Sequence, residues 1–344
     1  MKKEARKGLK ASILDGKTVL VTGGTGSFGR HFVQFLLEHT KAKKVIVFSR
    51  DEFKQSQMQS QMTDPRLRFF IGDVRDLPRL MRAFDGVDVV VHAAALKQVP
   101  ALEYNPFEAV KTNIIGTQNI IEAALDKGIK QAILVSTDKA AQPVNLYGST
   151  KLCAEKLFIS GNAYGGGKSR FSVVRYGNVV GSRGSIVETL LKNKDAHTVH
   201  ITDERMTRFW IDLDQALELV MYALTHMEGG EIFIPKVPAM KMTDLFDLLA
   251  PNAKRNVIGI RPGEKLHEVL VTREEARHSV DIGEYFVILP ESATDDDKKR
   301  LAKYAKKGKT IPHDFIFSSD ENSAHMSQQE LLTIVERTIP RLAA

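Results

Sequence analysis

Val21-Thr22-Gly23-Gly24-Thr25-Gly26-Ser27-Phe28-Gly29 is the stretch that decides the fold. The β-branched run Thr18–Val21 leads into it, and an amphipathic run, His31–Glu38, follows. That pattern is a strand, a glycine-rich turn and a helix. Gly23, Gly26 and Gly29 allow a tight reversal, a close backbone approach to a pyrophosphate, and tight helix–strand contact; Thr25, Ser27 and Phe28 belong to the same turn. The helix N-terminus then faces the phosphates. A glycine-rich loop by itself can be only a loop, and its place after the first strand lifts it above that reading.

Outward from the turn, short apolar runs at Lys44–Phe48, Leu67–Ile71, Val87–Val91, Gln131–Val135 and Phe171–Arg175 alternate with helical patterns such as Pro106–Lys127. The alternation predicts an α/β fold, a doubly wound, Rossmann-like parallel sheet with helices on both faces. After Gly181 the rhythm breaks into turn residues, isolated strands such as Glu231–Ile234 and short helices such as Met242–Leu249. The expected organisation is a dinucleotide-binding domain over 13–180 with returning segments near 208–236. A smaller mixed α/β lobe takes 181–207 and 237–330, and a basic extension takes 1–12. Ligands in such sheets bind at the carboxyl ends of the strands, where the lobe closes over the switch point.

The second strand ends in Phe48-Ser49-Arg50-Asp51-Glu52-Phe53-Lys54. A free ribose 2′-hydroxyl calls for a carboxylate here, and a 2′-phosphate calls for cations. Ser49, Arg50 and Lys54 favour NADP, while Asp51 keeps NAD open.

With 344 residues and 43% hydrophobic content, the chain suits one large domain plus a lobe. The net charge of +7 admits anionic partners. The basic runs Lys2–Lys10 and Lys298–Lys309 do not cluster with aromatics in the manner of a nucleic-acid reader, so they read as solvated surface and no nucleic acid is expected. The one cysteine, Cys153, excludes an internal disulfide and fits a reducing cytoplasm; on a predicted helix it reads as a small core residue rather than a nucleophile. The start lacks the apolar stretch of a signal peptide, and no run of about 18 apolar residues occurs, so no membrane partner is expected. No metal site is expected, and the expected assembly is a homo-oligomer, a dimer or higher.

The fifth strand runs into Ser136-Thr137-Asp138-Lys139-Ala140-Ala141-Gln142-Pro143-Val144-Asn145-Leu146-Tyr147-Gly148-Ser149-Thr150-Lys151. Tyr147 and Lys151 stand at i and i+4 of a helix and so share a face. An ammonium beside a phenol stabilises the phenolate, which makes Tyr147 a usable base. A lone YxxxK is common by chance; after a glycine turn and a strand ending in Ser136-Thr137 it is a strong signal.

The TGxxGxxG spacing, Ala93-Ala94-Ala95, Thr112-Asn113-Ile114-Ile115-Gly116-Thr117 and the set Thr137, Tyr147 and Lys151 resemble the extended short-chain dehydrogenases that act on nucleotide sugars, over nearly the whole chain. Within that group the STDKAxxPxNLYGSTK pattern looks like the configuration-inverting UDP-N-acetylglucosamine 4,6-dehydratases of the pseudaminic acid pathway. Retaining dehydratases carry Thr-Asp-Glu, with the tyrosine farther downstream. Similar segments follow in the same order: Ala95–Pro100, Arg175–Ser185, Ile201–Trp210 and Gly259–Lys265. The chain departs from the pattern at Glu188, where proline is usual, at His325-Met326, where an aromatic is usual, and in its longer basic start.

The resemblance implies conversion of UDP-N-acetylglucosamine to a 4-keto-6-deoxy sugar of L-arabino configuration, for surface-glycan or flagellin sugar. Tyr147 takes the C4 hydroxyl proton as hydride moves to NADP, which returns the hydride to C6 and stays tightly bound. Lys139 is the implied C5 acid/base, with its proton affinity depressed by burial and by Lys151. Asp138 is its partner or the acid for the C6 hydroxyl; a simple Asp138–Lys139 ion pair is the blander reading. Gly72-Asp73-Val74 matches a segment that contacts adenine, and Ala93 joins the cofactor site. Lys97 meets a cofactor or substrate phosphate, or is a surface lysine. Arg183, Arg208 and Arg261 are candidates for the diphosphate, some of them making structural ion pairs instead. Asn178, Thr202 and Glu264 complete the implied substrate site, Asn178 being as easily a turn residue.

Two other readings remain. A UDP-sugar 4-epimerase shares the C4 oxidation but lacks an Asp-Lys pair, and its product keeps the substrate's mass. A non-catalytic dinucleotide-sensing scaffold needs none of Thr137, Tyr147 and Lys151, whose presence argues against it.

Overall fold

The computed structural model describes residues 10–193, 197–291, 295–321 and 323–342, so most of the basic extension over 1–12 lies outside the described residues. Six strands, β1 (Thr18–Thr22), β2 (Lys44–Ser49), β3 (Leu67–Ile71), β4 (Val89–His92), β5 (Gln131–Val135) and β6 (Arg170–Val174), pair in parallel in the order β3-β2-β1-β4-β5-β6. Every residue of β1 and β4 is buried. Their continuous apolar runs have that cause, because helices cover both faces. Helix α1 (Ser27–His39) packs with Leu213–His226, while Leu77–Ala83, Gly116–Asp126 and Leu146–Tyr164 pack with one another as the opposite layer. Chain direction switches between β1 and β4, which opens a crevice above their carboxyl ends.

The helix read over Pro106–Lys127 is interrupted. A π-helical stretch, Val110–Ile115, sits between Pro106–Ala109 and Gly116–Asp126. It turns Asn113 inward, where Nδ2 donates to Leu96 O at 2.9 Å and to Thr150 Oγ1 at 3.0 Å, and Oδ1 accepts from Leu96 N at 2.9 Å. The loop after β4 is thereby tied to the helix Leu146–Tyr164. Such π-segments recur at functional sites.

The sheet extends beyond β6. Ile232–Pro235 adds in parallel, then Tyr285–Ile288, Ser279–Asp281 and Lys309–Thr310 add antiparallel, giving ten strands. The last three come from the 237–330 segment assigned to the lobe, which corrects that boundary. Phe286, Val287 and Ile288 join the main core because their strand covers the open edge left by Ile232–Pro235. Conversely, Thr207–Ile211 leaves the main sheet and pairs with Asn178–Val179 and Ala239–Lys241 in a three-stranded sheet. A separate core of Val180, Val187, Ile201, Trp210, Leu245 and Phe246 defines the smaller lobe. No helix among the described residues is long and apolar enough to cross a membrane.

Candidate active site

The turn from β1 to α1 brings two backbones together. Gly23 has φ +65°, and a Cβ there would lie 2.8 Å from Ala94 N, so only glycine lets the turn rest against Ala93-Ala94. Beneath it, Thr22 Oγ1 meets His92 Nδ1 at 2.7 Å. Burial depresses His92 to about 3, so the ring is a neutral strut.

A cavity of about 1000 Å³ lies over this turn. One end is formed by Ser49, Arg50 and Lys54, the floor by Gly23, Thr25, Gly26, Ser27, Phe28 and Gly29, with Val74, Ala93 and Lys97 alongside. Thr137, Lys139, Tyr147 and Lys151 follow, and Asn178, Arg183, Thr202, Arg208, Arg261 and Glu264 of the far side complete it. Nearly all the sequence-derived site residues therefore meet in one cavity. Asp73 does not: its carboxylate pairs with Arg75 at 2.7 Å and Arg50 at 3.6 Å, and the neighbouring Gly72 and Val74 face the cavity. Asp51 is already engaged, capping the helix Glu52–Gln61 through Lys54 N at 3.0 Å and pairing with Lys54 Nζ at 2.5 Å. Arg50 stays exposed at the cavity end. The extended cavity, the glycine-lined backbone and this cationic end fit a dinucleotide.

After β5 the chain makes a 3-10 turn, Asp138–Ala140, before the helix Leu146–Tyr164. A Cβ on Gly148 would overlap Lys139 O, so glycine at the helix start allows turn and helix to touch. Asn145 caps that helix, Oδ1 accepting from Gly148 N at 2.7 Å, while its Nδ2 donates to Gly263 O at 2.7 Å. The same side chain thus joins the helix Leu146–Tyr164 to the Arg261–Glu264 segment.

Asp138 is fully buried and does not line the cavity. Its Oδ1 accepts from Thr137 Oγ1 at 2.9 Å and from Lys139 Nζ at 3.1 Å; Oδ2 has no hydrogen-bond partner. Its placement supports the partner role and removes direct contact with a C6 hydroxyl. Lys139 Nζ also lies 3.1 Å from Glu268 Oε1. Burial by itself would depress Lys139, but Asp138 and Glu268 outweigh it and hold the ammonium above its ordinary value. The expected depression by Lys151 is thereby corrected: Lys139 rests as a proton donor.

Lys151 behaves in the opposite way. Burial lowers it to about 8 against the pull of Glu155, and its Nζ donates to Val135 O at 2.9 Å. Burial pushes Tyr147 up to about 12, and the cation that draws it back is Lys139. Thr137 Oγ1 donates to Asp138 Oδ1 and lines the cavity together with Tyr147.

Arg208 lines the cavity, yet its donors are engaged: NH1 with Thr207 O at 2.7 Å and Leu266 O at 3.1 Å, NH2 with Lys265 O at 3.0 Å. Nε lies 3.7 Å from Glu268. It clamps the 265–268 segment, so Arg183 and Arg261 are the better diphosphate candidates. Arg183 N donates to Ser27 Oγ at 3.0 Å, joining lobe to glycine turn. Arg261 lies 3.8 Å from Glu264 and is exposed. Sequence reasoning missed Glu268 and Lys265, whose Nζ donates to Ala141 O at 2.6 Å. A charged pair beside the apolar run Val269–Val271 carries no local mark of burial.

Fold and site together define an extended short-chain dehydrogenase/reductase with a sugar-nucleotide-sized cavity. The family model described as polysaccharide biosynthesis protein matches residues 19–290. An inverting UDP-N-acetylglucosamine 4,6-dehydratase of Campylobacter jejuni is 48% identical over 94% of this chain and 98% of its own. A UDP-glucose 4-epimerase of Rickettsia rickettsii is 41% identical over 79% of this chain and 82% of its own. The X-ray structure of Pen from Bacillus thuringiensis superposes with TM-score 0.86 at 36% identity, covering 95% of this chain and 99% of that one. The chain belongs to this polysaccharide-biosynthesis family, alongside the inverting UDP-N-acetylglucosamine 4,6-dehydratases.

Proposed function

We propose that the protein dehydrates UDP-N-acetylglucosamine across C5–C6 with inversion at C5, giving a UDP-linked 2-acetamido-4-keto-6-deoxy sugar of L-arabino configuration. The observation that carries this reading is Lys139, held in the cavity beside Tyr147 by two buried carboxylates. The relative at 48% identity supports it.

Tyr147 accepts the C4 hydroxyl proton, the Lys139 charge offsetting part of the burial that holds its phenol protonated. A dinucleotide held over the Gly23–Gly29 turn, with its adenosine end at Ser49, Arg50 and Lys54, would supply the hydride acceptor for C4 and the donor for C6. The C4 ketone acidifies C5–H. Lys139 carries the proton traffic of the C5–C6 half; as an ammonium it starts as a donor and accepts only after giving that proton up. Asp138 works through Lys139 and Thr137. Lys151 fixes the helix Leu146–Tyr164 against β5 and, lining the cavity, would hold the cofactor ribose. Arg183 and Arg261 take the diphosphate, with Lys97, Asn178, Thr202 and Glu264 around the sugar and nucleotide.

NADP is preferred over NAD because Asp51 is engaged by Lys54 while Arg50, exposed at the cavity end, is only loosely paired with Asp73 at 3.6 Å. Exposed Tyr104 (87%) and Phe107 (76%) on neighbouring short helices support a homo-oligomer. The single cysteine and the pathway chemistry support a cytoplasmic, pseudaminic-acid-type role.

The test is incubation of purified protein with UDP-N-acetylglucosamine in heavy water. A product lighter by one water, with deuterium at C5 and L-arabino proton couplings, is expected. The 4-epimerase reading, favoured by the Rickettsia relative, predicts unchanged mass instead.

A further inference from the structure

Lys139 is met from several elements at once. Asp138 comes from its own turn and Tyr147 from the helix Leu146–Tyr164. Arg208 comes from Thr207–Ile211, and Lys97 from the loop after β4. Glu268 and Lys265 come from the segment before Val269–Val271. Of these, Glu268 touches no part of the cavity and is 2% exposed, yet its Oε1 stands 3.1 Å from Lys139 Nζ. Its Oε2 is buried with no hydrogen-bond partner; Lys265 Nζ stands off at 3.7 Å.

The segment carrying Glu268 is held rigidly. Glu268 N donates to Ser319 Oγ at 2.9 Å, and Arg208 holds Lys265 O and Leu266 O. Farther on, Arg175 donates to Leu270 O at 3.0 Å and to both oxygens of Glu275, while its other side binds Glu155. Glu155 in turn accepts from Ser136 Oγ at 2.5 Å, one residue before Thr137. The end of β5 and the Glu268 segment are thus fastened to the same buried guanidinium.

We propose that Glu268 is a positioning residue of the reaction: together with Asp138 it holds the Lys139 ammonium charged and fixed at the cavity wall. This rests on the reading of Lys139 as the proton carrier at C5–C6. The direction of the Lys139 shift agrees with it, since an opposite charge this close favours the ionised form.

The experiment reads Lys139 directly. An amine reacts with acetic anhydride only as the free base, so labelling of the Lys139 peptide against pH, followed by mass spectrometry on the cofactor-loaded protein, gives its titration midpoint. Exposed Lys168 in the same sample is the internal reference. In Glu268→Gln the midpoint should fall by at least about one pH unit. The alkaline loss of kcat should move down with it, and kcat at neutral pH should drop about 10²-fold with KM little changed. Glu268→Asp, which keeps the charge, should retain most of the midpoint. An unmoved midpoint in Glu268→Gln overturns the proposal, as does equal loss of thermal stability in both variants without a midpoint change. If the midpoint falls but the wild type releases no dehydrated product, the placement of Glu268 stands and the dehydratase reading is what fails.

Discussion

Two buried charge clusters lie just past the ends of β5 and β6, and they are built differently. Around Arg175, with both glutamates engaged, donors and acceptors balance: Glu155 accepts at 2.6 and 3.1 Å, Glu275 at 2.8 and 2.9 Å, and Leu270 O takes one more donor. Arg175 is 0% exposed and touches no cavity. Around Lys139, two carboxylates each leave one oxygen without a hydrogen bond, and the ammonium opens onto the cavity. A saturated cluster has nothing left to exchange and acts as a clamp. An unsaturated one next to a cavity retains capacity to move protons, at a cost in desolvation that only function explains.

The largest effect should come from breaking the saturated cluster. Arg175→Met removes the guanidinium that Glu155 and Glu275 both bind and should cost about 3–5 kcal/mol of unfolding free energy, read by urea denaturation. A loss below about 1 kcal/mol would show that the two clusters do not differ as described.

Breaking the unsaturated cluster should instead cost chemistry. Lys139→Ala and Tyr147→Phe should each lower turnover about 10²-fold or more. They should fail at different points: Lys139→Ala should still allow C4 oxidation, seen as reduced nicotinamide absorbance in the near ultraviolet, and then stall. Product release by Lys139→Ala at the wild-type rate would reduce the turn to an ion pair.

The two lysines sharpen the contrast through pH. Lys151 is lowered to about 8 from 10.5, so its burial penalty is fully present below pH 8 and is relieved as pH rises toward 10.5. Lys151→Met should therefore be more stable than wild type near neutrality, with the advantage fading across that window. Lys139 is raised, so its contribution is complete below 10.5 and is lost only as pH climbs through its higher folded value. Between pH 7 and pH 10, equilibrium unfolding should show the Lys151→Met advantage shrinking while the Lys139→Met difference from wild type stays nearly constant; parallel curves would deny the distinction.

The smallest effect is expected at the helix start. Asn145→Ala removes the cap of Leu146–Tyr164 and the bond to Gly263, and should cost about 1 kcal/mol of stability. A rise in KM beyond that accounted for by unfolding would show that Asn145 also seats the Arg261–Glu264 segment.

How much was legible beforehand follows from how far each contact reaches along the chain. The strand–turn–helix around Gly23, the order of β1 to β6, and the face shared by Tyr147 and Lys151 are set by short spacings and by apolar periodicity, which any reading of the chain exposes. Those signals determined the sheet, the glycine turn and the helix face carrying Tyr147 and Lys151 by themselves. The three strands that extend the sheet past Ile232–Pro235, the π-segment holding Asn113, and the burial of Asp138 were decided only by tertiary packing. The same holds for Arg208, which reads as a phosphate ligand by type but has its donors taken by carbonyls of a distant segment. Glu268 is the clearest case. It sits in an ordinary mixed-charge stretch, and only the folded chain brings it to 3.1 Å from Lys139. The sign of that lysine's shift depends on the balance of burial against two carboxylates, and one of those comes from a segment far along the chain.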